Sequence, residues 1–323
     1  MNTSPHIAET IRTLLAADHP PLEKAESFVE MAFDLQKKPK ALQDLVDALA
    51  LYDQALALAG DDALARARAL AGKGGALRRL PGTDGSALED ARACFDEALT
   101  VLRQVGEDEE VAEVEMSLGL VLQALAAQGS APLQQAVQAY HRALQTFTKE
   151  VHPREFATIH NNLATAYLSM KLAPEREVMR EAMAVQSFQE ALKVVSLIED
   201  PTEYAMLQNN LGNALQAMRT SHPLENLSRA VEAYDEALKV RTRRDTPVEY
   251  ANTVTNKANA LMNLPDDPER SDLGNPRNLA SAVELLRDAQ SIYLAHEVGD
   301  RAEIVGALSD ELVRELAELG MPA

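Results

Sequence analysis

Asparagine is the residue type whose placement in this sequence most clearly suggests binding chemistry. The chain contains thirteen asparagines, none of them between residues 3 and 160, and nine lie on the segments 152–171, 201–219 and 246–264. A carboxamide offers a hydrogen-bond donor and an acceptor together, so a row of asparagines can pair with the main chain of an extended peptide. The clustering therefore predicts a polypeptide-binding surface in the second half of the chain.

The asparagines recur in helical registers, since positions three or four residues apart share one face of a helix. One register holds Asn162, Asn210 and Asn256. A second register, one helical turn further on, holds Thr165, Asn213 and Asn259. The predicted partner-binding residues are Asn162, Thr165, Asn210, Asn213, Asn256, Asn259 and Asn263. Asn161 and Asn209 lie one residue off these registers and are candidates for a structural ladder that ties one helix to the next. The pattern is compatible with partner binding and with a purely structural ladder.

Catalytic and metal-binding patterns are missing from the sequence. The glycine-rich stretch "AGKGGAL" at 71–77 lacks the spacing of a phosphate-binding loop, and we interpret it as a site of close helix packing. The seven histidines include no HExxH pattern, so zinc is not expected. Cys94, the single cysteine, lies on the apolar face of a predicted helix and is interpreted as a core residue. The sequence predicts no enzyme activity, no cofactor and no metal.

A sequence repeat underlies the asparagine registers. The stretches "EFATIHNNLATAY" (155–167), "EYAMLQNNLGNAL" (203–215) and "EYANTVTNKANAL" (249–261) share an aromatic residue followed by alanine, an asparagine five residues after that alanine and a small residue seven after it. The small residue recurs at Ala32, Gly74, Gly119, Ala164, Gly212, Ala258 and Ser309. Successive small residues are 42 to 51 residues apart. A repeat of this length is typical of a protein built from stacked structural units.

A second motif alternates with the first. In each copy a large residue is followed three positions later by alanine, within a pattern of apolar residues that predicts an amphipathic helix. The pairs are Tyr52/Ala55, Phe95/Ala98, Tyr140/Ala143, Phe188/Ala191, Tyr234/Ala237 and Leu286/Ala289. Each repeat is therefore predicted to be a helix pair. The small residue of the first helix, helix A, lets the large residue of the second, helix B, pack closely against it.

This alternation resembles the tetratricopeptide repeat (TPR) over residues 21–320. The matching residues are Leu211, Gly212 and Leu215 in one helix A, and Ala230, Tyr234 and Ala237 in the helix B that follows. The family's helix-A tryptophan is absent, with His160 and Gln208 in its place. The repeat period is about 45 residues rather than the usual 34. The pattern looks closest to long-repeat members that resemble the kinesin-light-chain branch.

These observations predict an all-α fold. Six helix pairs are expected to start near residues 21, 61, 108, 152, 201 and 246. A leading helix within 1–20 precedes the repeats of 21–298, and a more polar capping helix within 299–323 follows them. Asp200 and Thr246 are predicted N-cap residues. The resemblance implies one right-handed superhelical solenoid domain, 1–323, whose A helices and asparagines line a concave groove.

Composition limits the classes of protein and partner. The sequence has no apolar stretch long enough to span a membrane and no signal-peptide pattern at its N-terminus, so we expect a cytoplasmic protein, of bacterial type. The net charge is 31 − 50 = −19. Such a charge argues against a nucleic-acid partner. It reflects either solubility alone or a preference for basic partner segments.

The sequence thus predicts a protein–protein interaction scaffold or adaptor. A peptide or protein segment would bind in the asparagine-lined groove, centred on 160–263. The alternative is a regulatory or sensor solenoid that acts through a small ligand or through self-association. No sequence feature indicates the oligomeric state.

Overall fold

The computed structural model describes residues 3–81, 85–171, 173–220 and 222–321. Within these ranges the protein has fourteen α-helices, one short 3₁₀ helix and no strand, so the predicted all-α fold is confirmed. The helices are α1 (Pro5–Ala16), α2 (Pro21–Lys37), α3 (Leu42–Leu58), α4 (Ala63–Arg78), α5 (Ser86–Val105), α6 (Asp108–Ala127), α7 (Leu133–Ala143), α8 (Pro153–Ser169), α9 (Pro174–Ala191), α10 (Pro201–Ala217), α11 (Pro223–Leu238), α12 (Pro247–Leu261), the 3₁₀ helix (Pro268–Leu273), α13 (Pro276–Ala295) and α14 (Gly299–Glu318).

The helices pack as the six predicted pairs, which are α2/α3, α4/α5, α6/α7, α8/α9, α10/α11 and α12/α13. Each helix A begins within two residues of the position expected from the sequence. The leading helix is α1 and the closing helix is α14, which packs on α13. Packing of consecutive helix pairs is the arrangement expected of a TPR-like solenoid.

The chain divides by its internal contacts into two compact units, Met1–His152 and Pro153–Ala323. The first unit contains α1–α7 and the second contains α8–α14. Each unit has its own packed helices. The single solenoid domain expected from the sequence stays a prediction.

That prediction has a calorimetric consequence. If the chain is one domain, we expect the full-length protein to unfold in a single cooperative transition, because each repeat of a solenoid is stabilised by its neighbours. Differential scanning calorimetry checks this by comparing the calorimetric with the van't Hoff enthalpy, which agree for a two-state transition. Two resolved transitions would instead show that the units unfold independently.

The small residue of helix A and the aromatic residue of helix B meet in the core, as predicted. All seven small residues and all six large residues of the two motifs are buried. A Cβ added at Gly212 would lie 2.5 Å from Cε1 of Tyr234, and one added at Gly119 would lie 2.5 Å from Cε1 of Tyr140. Glycine costs about 1 kcal/mol in a helix relative to alanine. These ring contacts leave no room for a side chain, which explains the glycines.

A buried ion cluster joins three helices of the first unit. Glu115 of α6 is only 1% exposed. Its two carboxylate oxygens accept hydrogen bonds from Nε and NH2 of Arg142, each at 2.8 Å, and Oε1 also lies 2.5 Å from NH2 of Arg103. Arg103 lies on α5 and Arg142 on α7. The carboxylate thus connects the helix pair α6/α7 to the preceding pair α4/α5.

One local expectation was confirmed in position only, and another was wrong. Asp200 and Thr246 occupy the N-cap positions of α10 and α12, but neither side chain bonds to a helix N–H. Their ψ angles are 63° and 60°, outside the extended region from which an N-cap side chain ordinarily reaches the first turn. Cys94 is half-buried rather than part of the core, although this degree of burial already raises the pKa of its thiol.

Candidate functional site

A chain of asparagine side chains links α10 to α12 in the second unit. Asn209 is buried, and its Oδ1 accepts a hydrogen bond from Nδ2 of Asn256 at 3.3 Å. Oγ1 of Thr253 lies 3.3 Å from the same oxygen. Nδ2 of Asn209 donates to Oδ1 of Asn210 at 3.5 Å. Asn209 therefore ties one helix A to the next, as the ladder interpretation of this position expected.

The same bonds hold two predicted binding residues beside each other. Asn210 accepts from Asn209 through its Oδ1, and Asn256 donates to Asn209 through its Nδ2. Within the described parts of the chain, Nδ2 of Asn210 and Oδ1 of Asn256 have no hydrogen-bond partner. Both residues are partly exposed. One donor and one acceptor from consecutive A helices are thus left available.

The other predicted residues differ in how far their polar groups are already engaged. The hydroxyl of Tyr234 donates to Oδ1 of Asn213 at 2.8 Å, and Thr165 donates to the main-chain oxygen of Asn162 at 2.9 Å. In the part of the chain that the structure describes, the side-chain amides of Asn162 and Asn259 make no hydrogen bond.

Asn263 lies beyond the helix on which the sequence placed it. The helix α12 ends at Leu261, and Asn263 is in the turn that follows. Its Nδ2 donates to the main-chain oxygen of Asn259 at 3.0 Å. Its spacing from Asn256 therefore no longer places it on the same helix face.

A cleft of about 360 Å³ lies next to Asn256, among α12, α13 and α14. It is lined by Asn252, Thr255, Asn256, Tyr293, Arg301, Ile304 and Val305. Oδ1 of Asn252 accepts hydrogen bonds from the hydroxyl of Tyr293, at 2.8 Å, and from the guanidinium of Arg301. Sequence reasoning missed Arg301, because the closing helix α14 has no second copy whose spacing could single it out.

A larger cavity, of about 560 Å³, lies in the first unit, which contains none of the predicted binding residues. We call it the first-unit cavity. It is lined mainly by the A helices α2, α4 and α6 and includes Gly72 and Gly75 of the stretch "AGKGGAL". The first half of the sequence has almost no asparagine, so the asparagine registers gave no indication of this cavity. The extra glycines of α4 were the available indication.

The charged residues of the first-unit cavity are mostly acidic. They are Glu26, Glu30, Asp62, Glu110 and Glu113, with Arg68 as the one basic residue among the lining residues that the structure describes. Arg68 donates from Nε and NH2 to the carboxylate of Glu110, at 2.7 and 3.2 Å. This hydrogen bond lowers the pKa of Glu110 and raises that of Arg68. The remaining carboxylates leave the cavity with an excess of negative charge.

Comparisons with known proteins give only a weak structural likeness. No protein-family model matches it, and no curated protein matches it. Among solved structures, it is similar to the TPR2AB domain of yeast Sti1 in a complex with pHSP90. The identity is 17% and the TM-score 0.32, over 91% of this chain and 99% of that chain. A likeness this low carries no argument, so the TPR-like character rests on the chain's own helix pairs. Membership of the kinesin-light-chain-like branch stays a prediction.

The described residues form neither a metal-binding cluster nor a membrane-spanning helix. No group of three or more histidine, cysteine, aspartate or glutamate side chains among them is arranged to hold a metal ion. None of the described helices combines the length and the apolar composition that crossing a bilayer requires.

Proposed function

We propose that this protein is a non-enzymatic interaction scaffold or adaptor that binds a polypeptide segment on the A helices of its second unit. The observation that carries the proposal is the pair formed by Nδ2 of Asn210 and Oδ1 of Asn256, which Asn209 holds side by side. An extended peptide presents one C=O and one N–H per residue. The pair offers the complementary donor and acceptor.

This arrangement recognises main chain rather than side chains. Asn210 donates to a carbonyl oxygen of the bound segment, and Asn256 accepts from one of its N–H groups. The side chains of Asn162, Thr165, Asn213, Asn259 and Asn263 extend or border this surface. The net charge of −19 adds long-range attraction for basic segments. The proposal includes a right-handed superhelix with the A helices on its concave side, in a cytoplasmic protein.

Two single variants that change the net charge by the same amount distinguish partner binding from a purely structural ladder. Asn210→Asp removes the donor offered to the partner but keeps the oxygen that accepts from Asn209. Asn256→Asp removes the donor to Asn209 but keeps the oxygen offered to the partner. We expect Asn210→Asp to weaken binding about tenfold, because one hydrogen bond is lost and a carboxylate faces a carbonyl oxygen. We expect Asn256→Asp to bind nearly as well as the wild type.

The measurement is affinity capture from a lysate of the source cells, with bound proteins quantified by mass spectrometry. A protein retained by the wild type and by Asn256→Asp, but depleted with Asn210→Asp, is the expected result. Circular dichroism of each variant controls for lost helicity. Equal captures by all three proteins would restrict the asparagines to a structural role and contradict the proposal.

The alternative is a sensor or regulatory solenoid, and the cleft beside Asn256 favours it. Its volume of about 360 Å³ falls within the range of small-molecule sites, and Arg301 supplies a cation to orient a ligand. A change of oligomeric state on adding a small ligand, without binding of any polypeptide, would favour this function over the scaffold.

A further inference from the structure

One contact in the second unit is polar where the preceding repeat has an apolar one. Arg241 lies between α11 and α12, and its NH1 donates to Oγ1 of Thr253 on α12 at 2.9 Å. The residues at the corresponding positions of the preceding repeat are Val195 and Leu207, which belong to one hydrophobic cluster. Thr253 is 0% exposed. Because burying a polar group costs free energy unless it is hydrogen-bonded, the polar pair needs a reason other than packing.

The guanidinium of Arg241 carries a charge that no ion pair neutralises. The side chain is partly buried, and in the described part of the chain no carboxylate lies within ion-pairing distance of it. Burial lowers the pKa of Arg241, an effect that the carboxylate of Glu249 opposes. Arginine nevertheless stays protonated in proteins. A positive charge therefore remains behind the hydroxyl of Thr253.

The hydroxyl of Thr253 connects this charge to Asn209 on α10. Its oxygen accepts from Arg241, so its single proton is directed at Oδ1 of Asn209, 3.3 Å away, and at the main-chain oxygen of Glu249, 2.9 Å away. The two ends of a carboxamide have nearly the same shape, but only the oxygen is attracted by a cation and a hydroxyl proton. The carboxamide of Asn209 is thereby oriented with its oxygen toward Thr253 and its Nδ2 toward Asn210.

The equivalent asparagine one repeat earlier provides an internal comparison. Asn161 on α8 corresponds to Asn209, and Oδ1 of Asn161 is buried without a hydrogen-bond partner among the described residues. On the next helix A, α10, the position of Thr253 is occupied by Leu207, which has no polar side-chain group. A carboxamide oxygen at this register is thus engaged where the following helix carries threonine and unsatisfied where it carries leucine.

We propose that Arg241 and Thr253 are positioning residues that fix which way round the carboxamide of Asn209 lies, and that they thereby set the polarity of the pair Asn210/Asn256. With the oxygen of Asn209 toward Thr253, Asn210 presents a donor and Asn256 an acceptor. Thr253 is buried, so it acts on this surface only through Asn209.

The opposite orientation of Asn209 would exchange the two roles. Its Nδ2 would donate to Oδ1 of Asn256, and its oxygen would accept from Nδ2 of Asn210, which leaves Oδ1 of Asn210 and Nδ2 of Asn256 to the partner. A bound segment would have to present its C=O and N–H groups in the reverse order, by running in the other direction or by shifting its register. This consequence for binding rests on the function proposed above, whereas the orientation of Asn209 can be measured without any partner.

The test measures by NMR how fast the side-chain amide protons exchange with solvent in the full-length protein, labelled with isotopic asparagine. The peaks of Asn210 and Asn256 are identified by their loss in Asn210→Asp and Asn256→Asp. The NH2 group of Asn256 donates to Asn209, whereas that of Asn210 has no acceptor among the described residues. We expect the protons of Asn256 to exchange about fivefold more slowly, the factor that corresponds to one ordinary hydrogen bond.

Three changes examine the polar pair. The double variant Arg241→Val, Thr253→Leu writes into this repeat the apolar pair of the preceding repeat, a combination that the fold already contains. The exchange rates of Asn210 and Asn256 should then agree within about twofold, because nothing orients Asn209. Arg241→Met removes the cation alone and should reduce the difference between the two rates. Thr253→Ser keeps the hydroxyl and should retain the full difference.

Arg243→Met is the matched control. Arg243 lies in the same segment as Arg241, but its guanidinium bonds to Asp288 and to Oγ of Ser291. Its replacement removes an equal charge two residues away and should leave both exchange rates unchanged. Circular dichroism of every variant shows whether its helices are retained.

Two kinds of result would overturn the proposal. The first is a wild type in which the amide protons of Asn210 exchange as slowly as those of Asn256, since the carboxamide of Asn209 would then not lie as inferred. The second is a folded double variant, or a folded Arg241→Met, that keeps the full wild-type difference, because the orientation would then not depend on the polar pair.

Capture of the partner then distinguishes the two proposals. In the double variant, adding Asn210→Asp or Asn256→Asp should weaken retention of the partner to the same extent, whereas in the wild type only Asn210→Asp should weaken it. Exchange rates that change as expected, together with captures that no asparagine variant alters, would retain the positioning role and contradict the proposed function. A selective loss with Asn210→Asp that persists in the double variant would contradict the positioning role and retain the function.

Discussion

Replacing both Arg103 and Arg142 by methionine is expected to lower the free energy of unfolding by about 3–5 kcal/mol. The two guanidinium groups are the hydrogen-bond partners of Glu115, whose side chain is 2% exposed. Without them a carboxylate remains buried and unpaired among three helices. Methionine keeps much of the apolar stem of each arginine, so the loss reports charge pairing rather than packing. Urea unfolding followed by circular dichroism measures the change.

The matched control also removes the carboxylate of Glu115, which the double variant leaves unpaired. Adding Glu115→Leu to the double variant should restore most of the stability, because apolar side chains of similar volume often replace a buried ion cluster without a penalty. Glu115→Leu alone should cost less than the double arginine variant. The side chains of Arg103 and Arg142 are 49% and 40% exposed, so they can turn to solvent. A double variant as stable as the wild type would show that the cluster contributes nothing.

Gly212→Ala is expected to destabilise the protein by about 1–3 kcal/mol, despite the better helix propensity of alanine. The new Cβ would lie 2.5, 2.8 and 2.9 Å from three ring carbons of Tyr234. That ring is fully buried and its hydroxyl is bonded to Asn213, so it has little freedom to move away. The midpoint of urea unfolding should fall accordingly.

Gly75→Ala is the matched control within another helix A. The nearest atom to its added Cβ is Nε2 of Gln36, at 3.5 Å, which is ordinary van der Waals contact. Alanine should therefore raise stability there by up to about 1 kcal/mol through helix propensity. Opposite signs for the two variants are expected. If Gly212→Ala also stabilised the protein, the close helix contact would not be the reason for that glycine.

The helix pairs were predictable because their determinants are local. Prolines lie at the starts of α8, α10 and α12, and the apolar spacing of each helix can be read along the chain. The small and large residues of the two motifs repeat at matching positions, so even the contact between Gly212 and Tyr234 followed from spacing. The N-cap positions of Asp200 and Thr246 were predictable as well, but whether their side chains bond to the first turn depends on a backbone angle that residue type alone does not specify.

Binding surfaces were less predictable, because polar side chains are assigned their partners by three-dimensional contacts. The sequence assigned Asn210 and Asn256 to one register and Asn209 to a position one residue off it, but it could not say which of their amide groups bond to one another. Arg301 and Asn252 meet across forty-nine positions, a contact that no periodicity connects.

By itself, then, the sequence determined an all-α protein of six helix pairs with a leading and a closing helix, because periodicity, small residues and helix breakers act over a few residues. Tertiary structure alone decided which polar groups remain unsatisfied. Tyr52 and Tyr234 occupy the same motif position and are equally buried. Only the structure shows that the hydroxyl of Tyr52 has no hydrogen-bond partner among the described residues, while that of Tyr234 donates to the amide oxygen of Asn213. A hydrogen bond depends on what the neighbouring helix presents, and that is a property of the fold.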